Sequence, residues 1–170
     1  MNIIMRLVKE RDIPLMVSSI SDKDRRTRRR QIFERYLNEQ DNGEREVIVA
    51  FSDGKYVGHV TIIWHPEYPP FAEKNIPEIS DIGVEPELRR RGIGSMLMDE
   101  AEKRIFEKSE IAGIGFGISA DYGPAQRMFV RRGYVPDGRG LWSSEGHYIW
   151  EFSIVQVDDC AIYLSKNRGT

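Results

Sequence analysis

The chain has 170 residues, 40% apolar and 31% charged, with a formal net charge of −2 and a single cysteine. That length and composition suit one folded domain over residues 1–170 and argue against disorder, and the near-balanced charge gives no whole-protein attraction to nucleic acid or to an anionic membrane. Cys160 alone excludes an internal disulfide framework and fits a reducing, cytoplasmic setting. No stretch approaches the roughly 20 apolar residues that span a bilayer, and the opening MNIIMRLVKERD is too polar for a signal peptide.

Residues 2–8 read as a short strand. Ile13-Pro14-Leu15-Met16 opens a short helix, with Asp12 placed to cap it and Pro14 tolerable in its first turn. Between Asp24 and Gln40, the residues Ile32, Phe33, Tyr36 and Leu37 recur at helical spacing. The basic run Arg25-Arg26 and Arg28-Arg29-Arg30 lies on that helix, where it is either a solvated face with Glu34 and Arg35 or a substrate-facing edge. Two strands, 46–51 and 56–64, are joined through Asp53-Gly54, a strong hairpin signal between apolar runs. Residues 65–77, HPEYPPFAEKNIP, form a Pro-rich aromatic loop that is long for a connection.

A strand follows over 77–84 and a helix over 92–108, with Ile93, Leu97, Ala101 and Ile105 on one stripe. Residues 111–119 form a strand whose Gly113, Gly115 and Gly117 point to close packing or a bulge. The helix at 124–132 starts on proline and ends at Gly133. Beyond Tyr134 the pattern is irregular, with strands best placed at 148–155 and 161–165. The order gives a mixed α/β sheet of six to seven strands with about four helices, antiparallel at first and with crossovers later. Strands 77–84 and 111–119 are expected to be parallel neighbours that diverge at their C-terminal ends.

The most informative stretch is Arg89-Arg90-Arg91-Gly92-Ile93-Gly94-Ser95, set between a strand and a helix. A helix N-terminus carries unpaired N–H groups and partial positive charge, glycine lets the backbone approach phosphate oxygens, and arginine adds forked donors. The chemistry suits a pyrophosphate. It is not a P-loop, because no Gly-Lys-[Ser/Thr] occurs, nor a dinucleotide fingerprint, because the third glycine is missing. Taken by itself the stretch also fits a charged turn with a helix-initiating glycine.

Arg89 to Gly94 resembles the [Arg/Gln]-x-x-Gly-x-[Gly/Ala] motif of the GNAT superfamily of N-acetyltransferases. Ala125, Phe129, Gly133 and Tyr134 fall at the spacing of that family's later helix motif, and the element order over 2–165 agrees with it. The resemblance implies a GNAT-like fold and an acetyl-coenzyme A co-substrate whose acetyl group passes to a primary amine of a small molecule or of a protein. Its pantetheine arm would lie along Ile82, Gly83 and Val84, and its pyrophosphate on Arg89, Arg90, Arg91, Gly92, Ile93, Gly94 and Ser95. Ser119, Ala125 and Phe129 would complete the coenzyme site.

By the same resemblance, the base that deprotonates the amine falls eleven residues before Arg89, at Glu78. Asp81 is the rival carboxylate, and strict alternation puts it on the opposite face of the strand; a site with no dedicated base is the third option. The family's usual tyrosine acid is matched by Phe129, which has no hydroxyl. Tyr122 takes the place of the motif's asparagine and is the candidate replacement acid, or else a residue that covers the coenzyme, with water protonating the thiolate. The acceptor side would draw on residues 20–36, the loop bearing Trp64, Tyr68 and Phe71, and 139–147. A non-catalytic acyl-coenzyme A sensor with the same fold is the alternative function.

Scattered His59, His65 and His147 offer no metal-ligand spacing, so no metal is expected. Cys160 reads as a core residue. No nucleic-acid or membrane partner is implied, and the assembly is expected to be a monomer or homodimer.

Overall fold

A computed structural model describes residues 2–143, 146–147 and 160–170. The chain begins with β1 (Ile3–Leu7), α1 (Ile13–Met16) and α2 (Lys23–Asp41). Asp22 caps α2 by accepting from the Arg25 N–H at 2.7 Å. Asp12 does not cap α1 as expected. Its carboxylate is taken by Arg6 at 2.6 and 2.8 Å and by the Lys9 N–H at 2.8 Å, because a 3-10 turn over Glu10–Asp12 comes first.

Next come β2 (Arg45–Ser52), β3 (Lys55–Ile63), the one-turn α3 (Pro69–Ala72) and β4 (Glu78–Val84). The helix α3 interrupts the loop expected over 65–77, with Pro69 at its start and Phe71 buried beneath it. Then follow α4 (Ile93–Phe106), β5 (Ile111–Gly117), α5 (Gly123–Arg131), β6 (Val135–Ser143), the two-residue β7 (Gly146–His147) and β8 (Ala161–Asn167). The strand expected over 148–155 lies outside the described residues. No described helix is long and apolar enough to cross a membrane.

The strands form one mixed sheet in the order β1-β2-β3-β4-β5-β8-β6-β7. Among the described residues all the pairings are antiparallel except β4 with β5. One face carries Ile48, Val60, Ile79 and Ile114 against Leu97 and Ile105 of α4 and Phe129 of α5. On the other, Val47, Val49 and Phe51 pack against Phe33 and Tyr36 of α2. This division follows from period-2 alternation in the strands and the helical stripe in α2 and α4.

On the α2 side of the sheet, Tyr68, Phe71, Ile76 and Tyr163 make a separate aromatic cluster over β5 and β8. Tyr68 and Tyr163 stack at 3.7 Å. Only glycine at 113 and 115 permits this, since a Cβ would meet Phe71 at 2.2 Å and Tyr163 at 2.8 Å. The glycine run is therefore a close-packing device, as its sequence suggested. Tyr68 and Phe71 are pinned inside the loop and do not line an open acceptor site.

Candidate active site

Between β4 and α4 the backbone turns back sharply. Arg90 and Gly92 adopt left-handed conformations, at φ 64° and 84°, and Gly92 caps α4. The first α4 hydrogen bond runs from the Met96 N–H to the Gly92 carbonyl at 3.0 Å. Among the described residues, no backbone acceptor takes the N–H groups of residues 90–95. They converge at a positive helix end, the arrangement that holds phosphate oxygens.

Arg89 donates from Nε to the Val84 carbonyl at 3.3 Å, which ties the turn to the end of β4. Arg90, Arg91 and Ser95 are exposed. A Cβ at Gly94 would meet nothing nearer than the Val84 Cγ2 at 3.8 Å and the Met128 Sδ at 3.9 Å, so the space over it is free for a ligand. The residues present thus fit a coenzyme pyrophosphate.

Upstream, β4 pairs with β5 at only two positions, Glu78 with Gly113 and Ile79 with Ile114. Beyond Ile79 the strands part, which leaves backbone groups of Ile82, Gly83 and Val84 and those of late β5 facing a gap, as the parallel, diverging pair required. The cause of the parting is visible in the β3 pairing. Thr61 opposes Ser80 and His59 opposes Gly83, so β4 carries a bulge at Asp81 and Ile82. Asp81 sits there at φ 44°.

The bulge overturns the expectation that Glu78 and Asp81 occupy opposite faces. An extra residue flips the alternation, and both carboxylates project to the α2 side. Arg29 donates from Nη2 to both Asp81 oxygens at 2.8 Å, and the His59 Nε2 lies 3.4 Å from Oδ2. The Tyr56 hydroxyl hydrogen-bonds the His59 Nδ1. Burial alone would raise the Asp81 pKa; the hydrogen bonds and charge of His59 and Arg29 outweigh it and hold the carboxyl well below the usual range. A carboxylate so tightly held in its charged form is a poor base near neutrality.

Glu78 is the opposite case. Its side chain is 8% exposed and has no hydrogen-bond partner among the described residues. Burial pushes its pKa up to about 7; Arg45 pulls it down and Glu67 pushes it up. Arg45 is fixed nearby by donating to Thr61 Oγ1 at 2.8 Å, and that hydroxyl in turn donates to the Ser80 carbonyl at 3.0 Å. Glu78 stands in the last paired stretch before β4 and β5 part, and a carboxylate that titrates near neutrality has the proton affinity that a general base needs.

Tyr122 is 44% exposed and its ring lies over Gly117 at the end of β5, where a Cβ would meet Cε2 at 2.6 Å. Ser119 begins the 3-10 turn that carries Tyr122, and Ala125 is half-buried against the core. Phe129 is 2% exposed, packed beside Phe116 and Tyr134. The structure thus brings Glu78, the strand end 82–84 and the amide cradle along one strand–turn–helix unit, with Tyr122 across the gap. The sequence names Arg29 only within a basic run and His59 only as a histidine without metal-ligand spacing, and it marks neither Tyr56 nor Arg45. For Arg29 a signal existed: it stands four residues before Phe33, on the stripe that faces the sheet.

Comparison with known proteins supports the same assignment. The family model described as Acetyltransferase (GNAT) family matches residues 14–134. No curated protein is similar enough in sequence to count as a relative. Among solved structures, an N-acetyltransferase from Staphylococcus aureus Mu50 superposes with a TM-score of 0.67 at 16% identity, over 98% of this chain and 99% of that one. A ribosomal-protein-alanine N-acetyltransferase from Brucella melitensis gives 0.63 at 19%, over 96% and 99%. The PaiA N-acetyltransferase from Thermoplasma acidophilum, solved in complex with coenzyme A, gives 0.65 at 14%, over 98% and 99%. At these identities the structures speak for the fold, and the family model spans most of the chain. With two motifs, a splayed parallel strand pair and an open amide cradle in the matching order, the chain belongs to the GNAT acetyltransferase family.

Proposed function

We propose that this protein is an N-acetyltransferase that moves the acetyl group of acetyl-coenzyme A to a primary amine. The observation that carries the reading is the continuity of the amide cradle at 90–95 with the strand end 82–84 and the buried Glu78. Acetyl-coenzyme A, when bound, supplies the thioester that the amine attacks.

The chain's own part is positional and protolytic. Amides of residues 90–95 hold the pyrophosphate, with Arg89 and Arg91 adding charge, and the free edge of residues 82–84 orients the pantetheine arm. Fixing two reactants in attack geometry accounts for much of the rate in such reactions. Glu78, in its charged form, accepts the proton of the incoming ammonium, directly or through water. Tyr122 is the hydroxyl assigned to the thiolate side, because Phe129 has none. A thiol of pKa near 8.5 is already a fair leaving group, so this assistance is the smaller term.

The test is a screen of primary amines with acetyl-coenzyme A, following free thiol. Acetylated product with at least one class of amine supports the reading. Coenzyme binding with no transfer to any amine would instead support a sensor with the same fold.

A further inference from the structure

The basic run on α2 serves neither the cradle nor Glu78. We infer that the acceptor amine carries an anionic group, carboxylate or phosphate, and that Arg29 and Arg28 read it in a cavity along α2, which Arg29 ties to the bulge of β4 through Asp81. This rests on the acetyltransferase reading above and names its substrate class.

Arg29 is the anchor. Its guanidinium lies 4.6 Å over the Phe33 ring and gives Nη2 to both oxygens of Asp81, with the His59 Nε2 at 3.0 Å. The Nε and Nη1 donors have no partner among the described residues, and the side chain remains 28% exposed. With Nη2 committed to Asp81, Nε and Nη1, on different sides of the guanidinium, can each donate one charged hydrogen bond to an anion.

Arg29 lines a cavity of about 490 Å³ together with Asp22, Asp24, Arg25, Arg28 and Ile32. Of its two acidic residues, Asp22 is committed to the α2 N-terminus, where it accepts from the Arg25 N–H. Asp24 stands in the first helical turn, where the helix end favours its charge. The side chains of Arg25 and Arg28 have no ion-pair partner among the described residues. Arg30, by contrast, pairs with Glu34 on the outer face at 2.8 Å.

The cavity also has the right address. Arg29 touches β4 at Asp81, three residues beyond Glu78 and on the same face, a separation of about 10 Å along a strand. An anion seated on Arg29 therefore belongs to the molecule whose amine reaches Glu78, provided the two groups lie within about that distance. A polyamine would bring a second positive charge against Arg28 and Arg29 and be disfavoured.

The chemistry has two sources, a small amino acid or phosphoamine and the N-terminus of an acidic peptide. The test uses matched pairs on the coenzyme-loaded protein: ω-amino carboxylates of three to eight carbons against their carboxamides, and peptides with Asp or Glu near the N-terminus against Asn or Gln. Thiol release gives kcat/KM, and calorimetry gives affinity independently of turnover. The acid member of a pair is expected to win at least about tenfold in one arm, the scale of a charged hydrogen bond. Arg28→Gln should lower the acid-to-amide ratio about tenfold, whereas Arg30→Gln, an equal change of charge on the outer face, should leave it alone. Equal values for acids and amides in both arms, or equal effects of the two substitutions, would overturn the inference. Acids that bind preferentially but are never acetylated would uphold it and instead remove the enzymatic reading.

Discussion

Arg29 in α2 and Asp81 in β4 lie 52 residues apart in sequence and 2.8 Å apart in space. That contact clamps the bulge at which β4 leaves β5, and it joins the acceptor-side helix to the strand end assigned to the coenzyme. It also explains how Asp81 tolerates φ 44°, a conformation costing about 1–2 kcal/mol for a residue with a Cβ. Gly83 lies directly under the clamp, since a Cβ there would meet the His59 Cε1 at 2.6 Å.

Asp81→Asn should therefore act on stability and not on proton transfer. We expect a loss of about 1–3 kcal/mol in chemical denaturation, the range for a charged hydrogen bond removed from a partly buried site. The Asp81 pKa is lower in the folded protein than its ordinary 3.8, so its stabilising contribution is complete above that value and fades as pH falls below it. The wild-type advantage over Asn should accordingly shrink in acid. An advantage that grew on acidification would contradict the clamp.

Glu78 has the opposite linkage. Its folded pKa is raised from 4.5 to about 7, so the folded state holds a proton that the unfolded chain releases between these values. Keeping Glu78 charged above pH 7 costs stability, on the order of 3 kcal/mol for a shift of this size. Glu78→Gln should be more stable than wild type at pH 8, and the difference should narrow toward pH 5. A thermal-melt series over that range reads it directly, and a pH-independent difference would refute the buried, unpaired state of Glu78.

Gly94 and Gly92 should separate under substitution. A side chain at 94 meets only ordinary contacts at 3.8 and 3.9 Å, so Gly94→Leu should keep the fold while obstructing the cradle. Its coenzyme A Kd should rise at least about tenfold with little change in melting temperature. Gly92→Val adds backbone strain at φ 84°, so it should lose both affinity and stability. An unchanged Kd in the Leu variant would remove the pyrophosphate from this turn.

Phe129→Tyr would place a hydroxyl in a core that is closed around the ring. We expect a destabilisation of about 1–3 kcal/mol and no gain in rate. Tyr122→Phe should lower kcat with coenzyme affinity preserved if the hydroxyl serves the thiolate. Equal kinetics in Tyr122→Phe and wild type would leave protonation to water.

Much of the site was legible in the sequence because it depends on local rules. The stripe Ile93, Leu97, Ala101, Ile105 marked α4 closely, and the glycine-rich turn before it pointed to the cradle. The bulge was not legible, since alternation assumes an unbroken ladder and aspartate enters the left-handed region without a sequence mark. The strand β6 was hidden for a related reason: Pro136, Gly138 and Gly140 break its pattern, and its pairing with β8 slips between Pro136 and Leu141. The roles of Arg29 and Arg45 depend on contacts across the fold, which composition cannot disclose.

The most direct measurement of the central claim is the pH dependence of kcat/KM for acetyl-coenzyme A-dependent thiol release, in wild type and Glu78→Gln. The acceptor should be an amine of pKa above about 9, so that its own ionisation stays apart from that of Glu78. Wild type should show an inflection at about pH 7, the value set by burial of Glu78. The Gln variant should lack it, run roughly 10²-fold slower near neutrality, and recover as free amine accumulates at high pH. Full activity of Glu78→Gln across the whole range, with the inflection at about pH 7 retained, would contradict the assignment of Glu78 as the base.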